Sequence, residues 1–155
     1  MNRLQKFIVL SPRQKLLFFR AWRLLAVYQL TLVCRPLKRI TQALSHSNGV
    51  QPSSPESSDQ QAVAAELGRL VAYAAVATPW PSRCLVQVLV VQRLMAEQHI
   101  PGQILIGVSP SAGGNEHEET FGAHAWLQCG DLIVSGESGS EQYQVISSYA
   151  WDGSP

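Results

Sequence analysis

The sequence predicts an α+β domain in which helices come first and an antiparallel sheet follows. Three observations carry this. Apolar residues recur at helical spacing from Leu16 to Val33 and again from Val63 to Met95; short Ile- and Val-rich runs bounded by turn residues occupy the chain from Gln103 onward; and Gly130-Asp131 is a tight-hairpin signal between two such runs. At 155 residues the chain is long enough for one domain with a real core and too short for two ordinary ones. Residues 1–45 read as a helical extension, 46–60 as a flexible linker and 61–155 as the domain proper.

The first helix starts at Ser11-Pro12-Arg13-Gln14, with Ser as N-cap, Pro at the first helical position and Gln placed to close a capping box. Leu16, Phe19, Trp22, Arg23, Ala26, Leu30 and Val33 then recur along it until Arg35-Pro36. This amphipathic helix either docks a partner or leader peptide, or packs Phe18, Phe19 and Trp22 on the core. His46 to Gln61 is poor in apolar residues and rich in Ser, Pro and Gln, so ordering it is not offset by burial. After Asp59 the helical pattern restarts, with Val63, Leu67, Leu70 and Val71 on one face, and it ends before Thr78-Pro79.

Two prolines stiffen the loop Thr78 to Arg83, which delivers the chain to Cys84. From Cys84 to about Gln98 the sequence is apolar nearly all round, which marks a helix buried in the centre of the domain. Ile100-Pro101-Gly102 stops it. Strands are expected at Gln103 to Val108, Thr120 to Cys129, Leu132 to Gly136 and, as a last strand or edge segment, Tyr143 to Trp151; Ser109 to Glu119 between the first two is a loop.

Charge and cysteine content narrow the function classes. Twelve Lys and Arg against eleven Asp and Glu leave a net charge of +1, which does not point to nucleic acid. Basic residues gather near the N-terminus, from Arg3 to Arg39, and Glu116, Glu118 and Glu119 form an acidic loop. Three cysteines, Cys34, Cys84 and Cys129, argue for a reducing cytosol over a disulfide framework. Leu24 to Cys34 is about half the roughly 20 residues that cross a bilayer, although the mixture of basic and apolar residues there suits a surface-lying helix. His46, His99 and His117 share no ligand spacing, so no zinc site is expected. Nor is there a Walker-type phosphate loop.

Cys84 is the candidate nucleophile. A thiol attacks carbonyls as the thiolate, which a helix N-terminus favours, and the free amides there can donate to an oxyanion. Taken alone, a cysteine that opens a buried helix is more often a small core residue than a nucleophile. His124 supplies the second half. In GAHAWLQC, Ala123, Ala125 and Leu127 alternate with His124, Trp126 and Gln128, so the imidazole is presented with a large aromatic and small neighbours. A two-residue turn at Gly130-Asp131 pairs Cys129 with Leu132, Leu127 with Val134 and His124 with Glu137, which sets a carboxylate opposite the imidazole. Glu137 and Asp131 compete as the orienting acid in a Cys84, His124, carboxylate constellation. Trp80 and Trp126 either line a substrate groove beside Cys84 or pack around the hairpin. Gln87, one turn into the helix, is not expected to face the site.

SRCLVQVLVVQRLM followed by GAHAWLQCGDLIVSG resembles the transglutaminase-like cysteine peptidases of lasso-peptide biosynthesis, the B-type leader peptidases, over about residues 60–150. The resemblance implies a papain- or transglutaminase-like α+β fold, with the cysteine on a central helix against an antiparallel sheet. It implies leader removal from a ribosomally made precursor peptide by Cys84 and His124, without a cofactor. The family's acid is an aspartate on the strand after the histidine, where this chain has Gly136-Glu137. Family members of this length form the peptidase half of a split system. The implied partners are therefore a separate leader-recognition protein and an ATP-dependent lasso cyclase, in the cytoplasm.

Overall fold

The computed structural model describes residues 10–34, 57–109 and 122–153. Helices α1 (Pro12–Cys34), α2 (Ser58–Val76) and α3 (Cys84–Ala96) precede strands β1 (Gly102–Ser109), β2 (Gly122–Cys129), β3 (Leu132–Ser135) and β4 (Gln144–Trp151). A 3₁₀ turn, Ser140–Gln142, links β3 to β4. Neighbouring strands run antiparallel in the order β3-β2-β1-β4. The predicted α+β class therefore holds.

Local chemistry sets the helix starts. Ser11 and Gln14 form the expected reciprocal cap, with Ser11 N donating to Gln14 Oε1 at 2.9 Å and Gln14 N donating to Ser11 Oγ at 3.3 Å. The same Gln14 reaches across to α2, where Nε2 donates to Glu66 Oε1 at 2.7 Å. In α2 the cap is Ser57, whose Oγ accepts from Gln60 N at 3.3 Å, so the helix begins before Asp59. Residues 46–56 of the expected linker lie outside the described residues, as do His46, His117 and the side chain of Cys34.

The core fills the space between helices and sheet. Helix α3 is its centre, as its apolar composition required: Val86, Val88, Leu89, Val90, Val91, Leu94 and Met95 are all buried. It touches α1 and α2 on one side and β2 on the other. Ala125, Leu127 and Cys129 of β2 and Ile104 of β1 close the core from the sheet side. Gly68 lets α2 ride directly on β3, since a Cβ there would lie 2.1 Å from the Val134 carbonyl oxygen.

Of the three aromatics expected to pack α1 on the core, Phe18 does so and Phe19 and Trp22 do not. Phe18, Ala21 and Leu25 enter the core, while Leu16 is 72 %, Phe19 59 % and Leu30 65 % exposed. Apolar residues lie on both faces of this helix, so periodicity alone could not choose between them. Ala21 decides it, because a small side chain lets α1 approach α2 and α3 closely. Trp22 stays at the surface with its ring against Trp80, centroids 5.8 Å apart. An ion-paired cluster ties the far end of the contact, where Glu97 takes Arg20 at 2.6 Å and Arg93 at 2.9 Å. Burial next to this cluster pushes the Tyr28 hydroxyl up, with Arg93 opposing and Glu97 adding to the shift.

Candidate active site

The loop after α2 is built to deliver Cys84. Thr78 Oγ1 lies 2.7 Å from the Ala75 carbonyl and 2.8 Å from that of Trp80, stitching the end of α2 to the loop. Pro79 and Pro81 fix φ on either side of Trp80. Arg83 is the N-cap of α3 in an extended conformation with no side-chain cap, and Cys84 is the first helical residue. The first amide to find a helical carbonyl is Gln87 N, bonded to Arg83 O at 3.2 Å. Among the described residues the amides of Cys84, Leu85 and Val86 therefore have no hydrogen-bond acceptor at the helix end that carries the half-buried thiol.

His124 stands near the start of β2, opposite Gly107 of β1. Its ring is held from two sides. Trp126 stacks on it at 5.9 Å and 23°, and Tyr143 tilts against it at 5.1 Å and 34°. Gly107 makes this aromatic group possible: a Cβ there would come within 2.8 Å of Tyr143 Cβ and 3.0 Å of the Trp126 ring. His124 Nε2 lies 2.7 Å from the Gly136 carbonyl oxygen. A carbonyl only accepts, so Nε2 carries the hydrogen and Nδ1 keeps its lone pair. The neutral imidazole is thus fixed in the tautomer whose Nδ1 can take a proton.

Cys84 and His124 line one cavity of about 390 Å³, together with Gly68, Arg69, Ala72, Gln87 and the run Ile133 to Ser138. The hairpin register differs from the simple two-residue extrapolation. Cys129 pairs with Leu132 and Gln128 with Ile133, but a bulge then sets Leu127 opposite Ser135 in place of Val134. The shift ends β3 early, and Gly136 turns away with φ +78°. Its carbonyl stands where the extrapolated pairing had put the Glu137 carboxylate. Glu137 does line the cavity, but it is exposed and, among the described residues, no carboxylate pairs with His124. Asp131 is exposed in the hairpin turn and does not line the cavity.

The two tryptophans do not line the cavity. Trp126 is 5 % exposed and backs the imidazole, and Trp80 packs on Trp22. Gln87 does line it, against the sequence reading, with Nε2 donating to the Ser82 carbonyl at 3.0 Å. No group of three or more His, Cys, Asp or Glu side chains able to hold a metal occurs among the described residues. Nor, among them, is any helix long and apolar enough to cross a membrane.

A family model described as the transglutaminase-like superfamily matches residues 24–148. The chain belongs to the transglutaminase-like superfamily. Searches among curated proteins and among solved structures gave no match. The matched region runs from within α1 to the body of β4, so it takes in the second half of α1, α2, α3, β1 to β3, most of β4 and both Cys84 and His124. Membership supports a cysteine-based hydrolase or acyl-transfer chemistry for this transglutaminase-like domain, and the cysteine-bearing central helix against an antiparallel sheet agrees with that fold.

Two contributors to the site escaped the sequence reading. The Gly136 carbonyl is a backbone group, and a glycine after a strand signals a turn without saying which atom its carbonyl meets. Arg69 is a lone cation on an alanine-rich helix, which reads as a solvated face. Because His124 is held by a carbonyl, Glu137→Gln and Asp131→Asn are each expected to change turnover by less than about fivefold. Steady-state kinetics check this; a loss of hundreds-fold in either variant would restore that carboxylate as the orienting group.

Proposed function

We propose that this transglutaminase-like domain is a cysteine peptidase that removes the leader from a ribosomally synthesised precursor peptide during lasso-peptide maturation. The observation that carries the chemistry is the shared cavity: a thiol at an uncapped helix N-terminus, with an imidazole whose tautomer leaves Nδ1 unprotonated. The leader-peptidase assignment rests on the resemblance of the Cys84 and His124 segments to the B-type proteins.

In this reading Nδ1 of His124 accepts the thiol proton as Cys84 Sγ attacks the scissile carbonyl carbon, forming an S–C bond. The amides of Cys84 and Leu85 donate to the resulting oxyanion. Collapse breaks the C–N bond, and the imidazolium returns its proton to the departing amine of the core peptide. The leader is left as a thioester. Water, deprotonated by Nδ1, then attacks the thioester carbon; the C–S bond breaks, the thiolate regains its proton and the leader leaves with a free carboxylate. The precursor reaches the site with a separate leader-recognition protein, and the core peptide passes to an ATP-dependent cyclase. Both act in the cytoplasm.

Acyl transfer to an amine follows the same first step, and the superfamily supports it equally. The test is to incubate the protein with a precursor peptide and its recognition protein and weigh the products. Leader ending in a carboxylic acid is expected, heavier by one water in total products; leader ending in an amide to an added amine would make the protein a transferase, and intact precursor would sink both readings.

A further inference from the structure

The first turn of α3 is Cys84, Leu85, Val86 and Gln87, and Gln87 lines the cavity that also holds Cys84 and His124. Its two kinds of N–H hold two successive carbonyls of the chain entering the helix. The backbone amide donates to Arg83 O at 3.2 Å, and the side-chain Nε2 donates to Ser82 O at 3.0 Å. A carbonyl only accepts, so the end of the carboxamide at Ser82 is the nitrogen. Ser82 is gripped from its other side as well, with its hydroxyl 3.3 Å from Thr78 Oγ1 just after α2. A peptide unit is planar, with its C=O and N–H opposed. The carbonyl of Arg83 and the amide of Cys84 belong to one plane, so a carbonyl drawn into the helix turns the Cys84 N–H out at its end. The carbonyl of Ser82 belongs to the plane before it. With both planes pinned, Arg83 is held at φ −67° and ψ 152°, the turn that brings the chain into the helix. A usual N-cap side chain would fix that entry by accepting from the amide of the second or third helical residue. Arg83 carries no acceptor and makes no such bond. Gln87 fixes the entry from the donor side instead, which leaves the amides of Cys84 and Leu85 without a cap.

We propose that Gln87 is a positioning residue, whose carboxamide sets the chain entering α3 so that the amides of Cys84 and Leu85 meet the oxyanion. This rests on the peptidase reading above. Gln87 acts through the backbone and does not touch the reacting atoms. Its loss therefore weakens the stabilisation of the oxygen that becomes charged, and leaves the thiol and the substrate's resting contacts in place. A shift of about 1 Å in such a donor is enough to cost on the order of a hundredfold; because the backbone bond to Arg83 remains, a loss of at least about tenfold is expected here.

The test uses the full chain with a precursor peptide and its recognition protein, and two further probes of Cys84. One is the leader peptide ending in an aldehyde at the cleavage site. Sγ forms an S–C bond to it and the aldehyde oxygen takes the thiol proton, so that oxygen occupies the oxyanion position. The other is iodoacetamide, which alkylates the thiol by displacing iodide and develops no oxyanion. In Gln87→Met, which keeps the length and loses the donor, kcat is expected to fall at least about tenfold and the aldehyde affinity by a similar factor, with KM and the iodoacetamide rate within about twofold of native. If urea unfolding shows that this variant does not fold, Gln87→Asn, whose amide is one methylene too short to reach Ser82, carries the same expectation. Native kcat and aldehyde affinity in the folded variant overturn the assignment of Gln87 while leaving the nucleophile in place. An equal loss with both probes also overturns it, because it shows a loop that has loosened as a whole. Absence of both cleavage and aldehyde binding in the native protein brings down the peptidase reading itself, and this inference with it.

Discussion

Replacing Cys84 by alanine is expected to reduce precursor cleavage by about a thousandfold or more, with the fold intact. Among the described residues Cys84 is the one thiol that lines this cavity. Cys129, the other thiol whose side chain is described, is fully buried, and burial pushes it up from its ordinary value, which keeps it neutral. It sits in the core between β2 and the helices, away from the cavity. Stability should hardly change in Cys84→Ala, because the side chain is half-buried at the first turn of α3 and alanine is a good residue at a helix start. Urea unfolding of the variant should superimpose on that of the native protein within about 1 kcal/mol. Retained cleavage would remove Cys84 from the mechanism. Cleavage lost together with the fold would show that its contribution is packing, the other reading its sequence position allows.

Gly136→Val is expected to cost about 3 kcal/mol of stability and at least about a hundredfold in turnover per folded molecule. Two causes act at one residue. The backbone has φ +78°, where an L side chain is strained, and a Cβ would come within 2.5 Å of the Ala125 carbonyl oxygen and 2.9 Å of Trp126 Cα. Relieving that clash moves the Gly136 carbonyl, which lies 2.7 Å from His124 Nε2 and fixes the tautomer. Gly139→Ala is the control. Its φ of +80° carries the same strain, but a Cβ there meets nothing within 4 Å, so it should lose about 1 kcal/mol and keep its activity. Chemical denaturation together with kinetics at a temperature where both variants stay folded separates the effects. Equal activity in the two glycine variants would show that the carbonyl does not orient the imidazole.

These outcomes bear on how much of the site was legible in the residues themselves. Cys84 at a loop-to-helix junction was legible because two prolines, a break in pattern and an all-apolar run are local signals. His124 was legible for the same reason: strand alternation with small neighbours. The third member was not. Counting outward from Gly130-Asp131 gave the right partners for Cys129 and Gln128, and then failed at Leu127 because the bulge inserts one residue. A single-residue slip in a hairpin exchanges what faces what, so the histidine meets a carbonyl where extrapolation offered a carboxylate.

The α1 face shows the same division. Its capping box was written in Ser11, Pro12 and Gln14, all within one turn, and the structure has it. Which side of the helix is buried depends on the shape of α2 and α3, far away in the chain, and the exposed Leu16, Phe19 and Leu30 are as apolar as the residues that went inside.

By itself, then, the sequence determined the α+β class, the order of helices and strands, the buried central helix, and the places of Cys84 at a helix start and His124 on a strand. Each follows from periodicity, capping or turn chemistry between residues close in the chain. Only the tertiary structure decided that Gly136 holds His124, that Arg69 lines two cavities, and that Glu137 and Asp131 stand unbonded to the imidazole. Those depend on a bulge and on the packing of α2 against β3, contacts between distant segments whose geometry no local pattern encodes.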